Sequence, residues 1–298
     1  MQFDLFVGVD WSGARGETHR GISVFAADKG DAPPLPVNPP DGAIRWSRPA
    51  VMAYLRQVSD TKQVLAGIDF AFAHPFYDAG AYSPNAKGSP DNPRALWQLI
   101  DEINQLQPYL YGGAIWDDTE FGPYYNAYGG RRGALFSSRR RRTEQDARTI
   151  KAPSPTFNCV GPAGVGTGSL AGMRMLHHLA ETTHIWPFSD VSCPTASLVL
   201  VEIFPSYYFA AAGIRPINQQ QAALPALNQA LGFYGSAPLH DNSHLGGPDA
   251  DDADALIAAA ALRYHAADKA CWQVANEATL EGWIFGVKSG SQNPWLPC

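Results

Sequence analysis

Val7-Gly-Val-Asp-Trp-Ser-Gly13 and Leu65-Ala-Gly-Ile-Asp-Phe-Ala71 each carry an apolar run straight into an aspartate, and Leu198-Val-Leu-Val-Glu-Ile-Phe204 carries one into a glutamate. A carboxylate at the end of a buried β run is costly unless something compensates its charge. Three at comparable depths, Asp10, Asp69 and Glu202, therefore predict a shared partner. A divalent cation, which prefers oxygen ligands, is the natural one.

Outward from these runs, residues 3–9 and 21–26 read as two strands of a hairpin joined by a polar, glycine-containing turn. The proline-rich stretch 31–40 must be extended or loop, and residues 43–46 are expected to add a third short strand. Residues 49–58 have helical spacing at Met52, Leu55 and Val58, with Pro49 suited to a first helical position. Residues 64–70 then read as a strand buried on both faces, as in parallel pairing. Strand, strand, strand, helix, strand is the order of a mixed sheet, antiparallel at one side and with a crossover at the other.

Further helices are expected over 95–106, over 170–181 with Ser169 as its N-cap, over 205–213 ended by Gly213, over 219–231 with a kink at Pro225, and over 251–269. The chain of 298 residues reads as one elaborated α/β domain spanning 1–298. Within it, 76–197 is too long for a connection and is expected to be a large insertion, mostly irregular and helical.

A formal net charge of −6, from 22 Lys and Arg against 28 Asp and Glu, argues against a generally basic nucleic-acid coat protein while leaving room for a local basic groove. No apolar run approaches the roughly 18 to 20 residues of a membrane span, and Met-Gln-Phe-Asp at the start lacks the parts of a signal peptide. A cytoplasmic protein without membrane contact is the expectation. Cys159, Cys193, Cys271 and Cys298 show no zinc spacing and read as free thiols, with a Cys159–Cys193 pair possible only if the chain folds back.

Asp249, Asp251, Asp252 and Asp254 crowd the start of the last helix, where the dipole favours negative charge and capping is the plain explanation. Four exceed a cap's needs. Asp251 and Asp254 are three apart and share a helix side, while Asp252 points elsewhere. If that side faces Asp10 and Asp69, the acids converge, and two cations about 3.5 to 4 Å apart would relieve their repulsion and support in-line displacement at phosphorus.

With these residues in view, the chain resembles the domain-of-unknown-function 429 family, predicted nucleases of ribonuclease H-like fold. Val7-Gly-Val-Asp-Trp-Ser-Gly13 is similar to its opening strand and Gly67-Ile-Asp-Phe-Ala-Phe-Ala-His-Pro75 to its second acidic strand. Val201-Glu-Ile-Phe-Pro205 is similar to its glutamate strand and Asp251-Asp-Ala-Asp-Ala-Leu256 to its terminal acidic helix. The resemblance implies a ribonuclease H-like mixed sheet flanked by helices and a nuclease that uses Mg²⁺ or Mn²⁺. It implies Asp10, Asp69 and the Asp251 and Asp254 pair as metal-binding acids, with Glu202 as a further contributor. The shells would be completed by Asp69 and Asp254, and Asp251 or Glu202 would hold a metal or position water.

Between Tyr109 and Arg148, Tyr109, Tyr111, Trp116, Tyr124, Tyr125 and Tyr128 precede the block Arg139-Arg-Arg-Arg142. Rings followed by cations suit a single-stranded nucleic acid, so Tyr124, Tyr125, Arg139, Arg140, Arg141 and Arg142 are candidate substrate contacts. The same arginines could pair with Asp117, Asp118, Glu120, Glu144 and Asp146. The glycines at 161, 164, 166 and 168 lack the Lys-Ser or Lys-Thr of a Walker loop and read as a turn or a nest of N–H groups. Arg174 on the following helix suits a phosphate or a surface position. His240 and His244 have zinc spacing only if helical, and Asn242, Gly246 and Gly247 discourage a helix. His74 suits packing or proton transfer beside the second acidic strand. Two further readings remain open: an ATP-dependent phosphotransferase of the actin and sugar-kinase type, which shares this sheet order, and a non-catalytic scaffold whose acids merely cap helices.

Overall fold

The computed structural model describes residues 2–161, 164–189, 196–215, 222–241 and 250–290. Its main sheet is mixed and has six strands. Strand β1 (Leu5–Asp10) pairs antiparallel with β2 (Ser23–Asp28), which pairs antiparallel with β3 (Leu35–Pro36). On its other side β1 runs parallel to β4 (Val64–Ile68), and β8 (Leu198–Glu202) and the short β7 (His184–Ile185) continue the parallel part. A separate two-stranded ribbon joins β5 (Asn126–Ala127) to β6 (Arg131–Arg132).

Period-two alternation divides the core between the two faces of the sheet. Leu5, Val7 and Val9 of β1 and Ala66 and Ile68 of β4 join one cluster, which holds Leu96, Trp97 and Ile100 of α2 (Pro93–Ile103) and Leu170, Met173 and Leu176 of α4 (Val165–Leu179). Phe6, Leu65, Val199 and Val201 face the other way, against the alanine-rich α7 (Ala250–Ala266). Gly8 and Gly67 let α7 settle directly onto the sheet. A Cβ at Gly8 would lie 2.2 Å from the Ala255 carbonyl oxygen and 2.6 Å from the Ala259 nitrogen, and one at Gly67 would lie 2.9 Å from a Leu262 methyl. No real Cβ fits those gaps.

Several expectations shift. The third strand lies at Leu35–Pro36, inside the proline-rich stretch, while Trp46 makes only an isolated bridge to His19. Pro36 is tolerated because β3 is the sheet edge, where a missing N–H breaks no ladder. Helix α1 (Arg48–Ser59) is capped by Ser47, whose side chain accepts from the Ala50 N–H. Helix α4 starts at Val165, so Ser169 lies inside it and is no cap; its hydroxyl donates to the Val165 carbonyl and accepts from the Ala71 N–H. Pro225 sits in the first turn of α6 (Leu224–Phe233), where it starts the helix instead of kinking it; residues 216–221 lie outside the described residues.

The segment expected as an insertion contributes α2, α4 and β7 to the core layers as well as 3₁₀ turns, the ribbon and α3 (Arg142–Ala147). After β8 comes α5 (Pro205–Ala211), and Gly213 follows it at φ 79°, a conformation that favours glycine. The short α8 (Ala278–Glu281) packs near α3, and the chain after it bridges back to Glu202 at Ile284. Cys159 and Cys271 are free, buried thiols, and Cys193 and Cys298 lie outside the described residues. Among the described residues no helix is long and apolar enough to cross a membrane.

Candidate acidic site and adjoining cavity

The parallel register of β1 and β4 decides which acids meet. Val9 pairs with Ile68, and the Asp69 N–H donates to the Val9 carbonyl at 3.0 Å, so Asp10 and Asp69 come level on neighbouring strands. Their parity matches Phe6, Gly8, Leu65 and Gly67, which places both on the α7 side. The first turn of α7 is tied down by Ser23, the cross-strand partner of Asp10, whose hydroxyl donates to Asp252 at 2.5 Å. Asp252 thereby serves as an anchor. Asp251 sits near the loop after β1, since a Cβ at Gly21 would lie 3.5 Å from its carboxylate oxygen and 3.8 Å from the Ser12 hydroxyl.

Removal from water raises the pKa of Asp10 well above the ordinary aspartate value, and the charges of Asp254, Asp69 and Asp251 push it further. Asp254 is raised by removal from water and then by Asp69 and Asp251. Burial, followed by the charge of Glu202, lifts Asp69 to about 7. These directions follow from like charges crowded in a medium that solvates them poorly. Asp254 Oδ1 is buried and has no hydrogen-bond partner, an unfavourable state that a proton or a cation relieves.

Among the described residues, no group of three or more His, Cys, Asp or Glu side chains is arranged to hold a metal ion as it stands. The acids are electrostatically coupled neighbours and not a preformed cage. In chemistry, however, the set suits a hard divalent cation: all its donors are carboxylate oxygens, and Asp254 Oδ1 lacks a partner.

Glu202 has a different setting. It pairs with Ile68, one residue short of the Asp10–Asp69 level, and its parity matches Leu198 and Leu200 on the face away from α7. Both its oxygens are engaged by the Arg141 guanidinium, at 2.5 and 2.7 Å, and Oε2 also accepts from the Phe72 N–H at 3.0 Å. Arg141 donates as well to Glu144 at 2.8 Å and to the Glu281 carbonyl. Burial opposes its charge, but Glu202 and Glu144 outweigh burial and hold the proton more tightly than usual.

The other expected substrate contacts are also occupied by protein. Arg139 binds the Asp78 carboxylate and the carbonyls of Pro75, Ala81 and Tyr82, clamping one loop. Arg140 donates to the Pro153 carbonyl, and Arg142 pairs with Asp146 and approaches Glu277. The Tyr124 hydroxyl donates to the Pro84 carbonyl, and the Tyr125 hydroxyl bonds His74 Nε2 at 2.9 Å. His74 is itself buried, stacked on Phe157 and bonded to Thr156, and burial lowers its pKa to about 3. Arg174 holds Asp101 and the carbonyls of Gln107 and Tyr111. His244 lies outside the described residues.

Beside the acids, at the carboxyl ends of β1 and β4, lies a cavity of about 550 Å³. The loop after β1, Asp69, the first turn of α4, Tyr111 and Tyr128 line it, and the Arg141–Glu202 pair forms part of its wall. Two contacts hold the β1 loop against α4: the Trp11 indole N–H donates to the Gly168 carbonyl, and Gly13 packs so closely that a Cβ would lie 2.2 Å from the Thr167 backbone. Arg48, fully buried, donates to the carbonyls of Ser12, Ala14 and Tyr109, fixing the same loop from behind. The clamp has no signature in the sequence, because Arg48 reaches the loop only through the fold. Compared with protein-family models, curated proteins and solved structures, the chain matches none.

Proposed function

We propose that the protein is a phosphodiesterase of ribonuclease H-like architecture that hydrolyses nucleic acid with Mg²⁺ or Mn²⁺. The observation that carries this reading is the level placement of Asp10 and Asp69 on adjacent parallel strands, beneath α7, whose Asp254 and Asp251 add to the effect of burial in raising the Asp10 pKa. The strand order β3-β2-β1-β4-β8, antiparallel on one side of β1 and parallel on the other, supports the fold reading. Open α/β sheets place ligands at the carboxyl ends of their strands, where the cavity lies.

Asp10, Asp69 and Asp254 would hold the ion, with Asp251 beside it. The bound ion supplies Lewis acidity toward a phosphoryl oxygen and a nucleophilic water. The chain's own part is to bring carboxylates together at the carboxyl ends of two central strands and to present the cavity beside them. Glu202 shapes that cavity through Arg141. Nucleic acid as the substrate follows from the family resemblance and from the rings at the cavity, not from the arginine block.

One observation favours a second reading. Gly164 and Gly168, at the start of α4, line a cavity of single-nucleotide size, which would also suit the phosphates of ATP in a phosphotransferase. A panel of single-stranded, duplex, hybrid and branched nucleic acids, incubated with Mg²⁺ or Mn²⁺, tests the main proposal. Cleavage by the wild type that is lost in Asp10→Asn supports it, whereas no cleavage of any substrate, together with stabilisation by ATP-Mg²⁺ but not by Mn²⁺, transfers the case to the phosphotransferase.

A further inference from the structure

We infer that the cavity beside the acids receives one unpaired nucleotide of a single-stranded substrate, with Tyr128 as the ring surface and Arg15, held over Tyr111, as the phosphate contact. The inference rests on the nuclease reading and adds the strandedness of the substrate and the residues that select it.

Size comes first. A space of about 550 Å³ falls within the range of small-ligand sites and accommodates a nucleotide, not a duplex. A base paired within a helix reaches such a recess only after unstacking, which costs a few kcal/mol in a duplex and little in a single strand. The walls then supply what a nucleotide needs. Tyr128 is 57% exposed and packs in a T-shaped contact against Trp116, and Tyr111 makes a second T-shaped contact with the same indole. The indole thus braces two rings that both line the cavity.

Charge completes the fit. Arg15, on the exposed part of the loop after β1, lines the cavity with its guanidinium over the Tyr111 ring, 6.0 Å from the ring centre. A guanidinium lying over a ring face keeps its charge and its N–H donors for a phosphate beside a stacked base. The loop bearing Arg15 is held by Arg48 from one side and by the Trp11–Gly168 hydrogen bond from the other, so the cation is presented at a defined place. Asp69 lines the same cavity. A phosphoester next to the bound base would therefore lie toward the carboxylates.

The test separates binding from cleavage. Fluorescence anisotropy of a labelled oligothymidylate, measured in EDTA with the full chain, is compared among the wild type, Tyr128→Ala, Tyr128→Phe and Arg15→Ala. Both altered side chains are exposed, and circular dichroism checks that each variant is folded. Expected are binding of the single strand in preference to the matched duplex and a weakening of about fivefold to a hundredfold in Tyr128→Ala, the range for loss of one ring–base stack. Tyr128→Phe should retain binding, and Arg15→Ala should weaken it and flatten its salt dependence. Equal affinity for duplex, no binding, or indifference to both alanine variants overturns the inference. Metal-dependent cleavage measured in parallel addresses the nuclease reading separately: cleavage unaffected by the cavity variants leaves the nuclease standing and removes this site, whereas cavity-dependent binding without cleavage removes the nuclease and keeps the site.

Discussion

Replacing Asp69 with asparagine should make the metal-free protein more stable at neutral and alkaline pH. Burial, followed by the charge of Glu202, raises the Asp69 pKa from 3.8 to about 7, so the folded state binds its proton more tightly than the unfolded chain does. Its contribution to stability is complete below pH 3.8 and is lost as pH rises through the folded value near 7. A separation of about three pH units, at roughly 1.4 kcal/mol each, bounds the loss at about 4 kcal/mol. For a chain of 298 residues that corresponds to a difference in Tm of up to roughly 6 °C. Because Asp69 is partly reached by solvent and shares its field with Asp10 and Asp254, the measured value should fall below this bound. Thermal unfolding followed by circular dichroism from pH 4 to 9 in EDTA, for wild type and Asp69→Asn, gives the difference directly. The two Tm values should nearly coincide at pH 4 and separate between pH 4 and 7, with the variant higher. A gap that stays constant across the range, or one that opens in the other direction, refutes the claim that a crowded carboxylate field strains this site.

Four further outcomes can be checked. Mn²⁺ should raise the wild-type Tm and leave that of Asp10→Asn nearly unchanged, as differential scanning fluorimetry with a metal titration would show. Arg141→Met should lower stability by about 3–5 kcal/mol in urea unfolding, because it leaves Glu202 and Glu144 buried without their cation; adding Glu202→Gln should recover part of that loss, and no recovery would argue against uncompensated charge as the cause. Gly8→Ala should cost about 1–3 kcal/mol or more, since its Cβ would meet the Ala255 carbonyl oxygen at 2.2 Å and push α7 off the sheet. In an NMR titration the His74 ring signals should stay in their neutral position down to about pH 4, because burial, followed by Arg141 and Arg139, lowers its pKa to about 3; protonation near pH 6.5 would contradict the buried setting.

The outline of the sheet and the identities of its strand-end acids were legible in the chain because apolar alternation, proline and glycine placement and helical spacing are local signals. Asp10, Asp69, Asp251 and Asp254 could be named together on that basis, and the structure makes them electrostatic neighbours. Glu202 stands in the same kind of strand-end motif yet lies one residue out of level and on the opposite face. Because side chains alternate with a period of two, that single residue takes it from the aspartates to Arg141.

The arginine block shows the same boundary. Four consecutive arginines look alike in sequence, yet Arg139 clamps a loop through its carbonyls, Arg141 is buried between two glutamates, and Arg15, over a hundred positions earlier, stands at the cavity rim. Neighbours along the chain were enough to mark the long strands that end in a carboxylate and the main helices, but not the edge strand at Leu35–Pro36 or the start of α4 at Val165. Strand register, the close seating of α7 on Gly8 and Gly67, and the choice of which charges are paired and which face the cavity were decided only by the tertiary structure, because they depend on contacts between residues far apart in the chain.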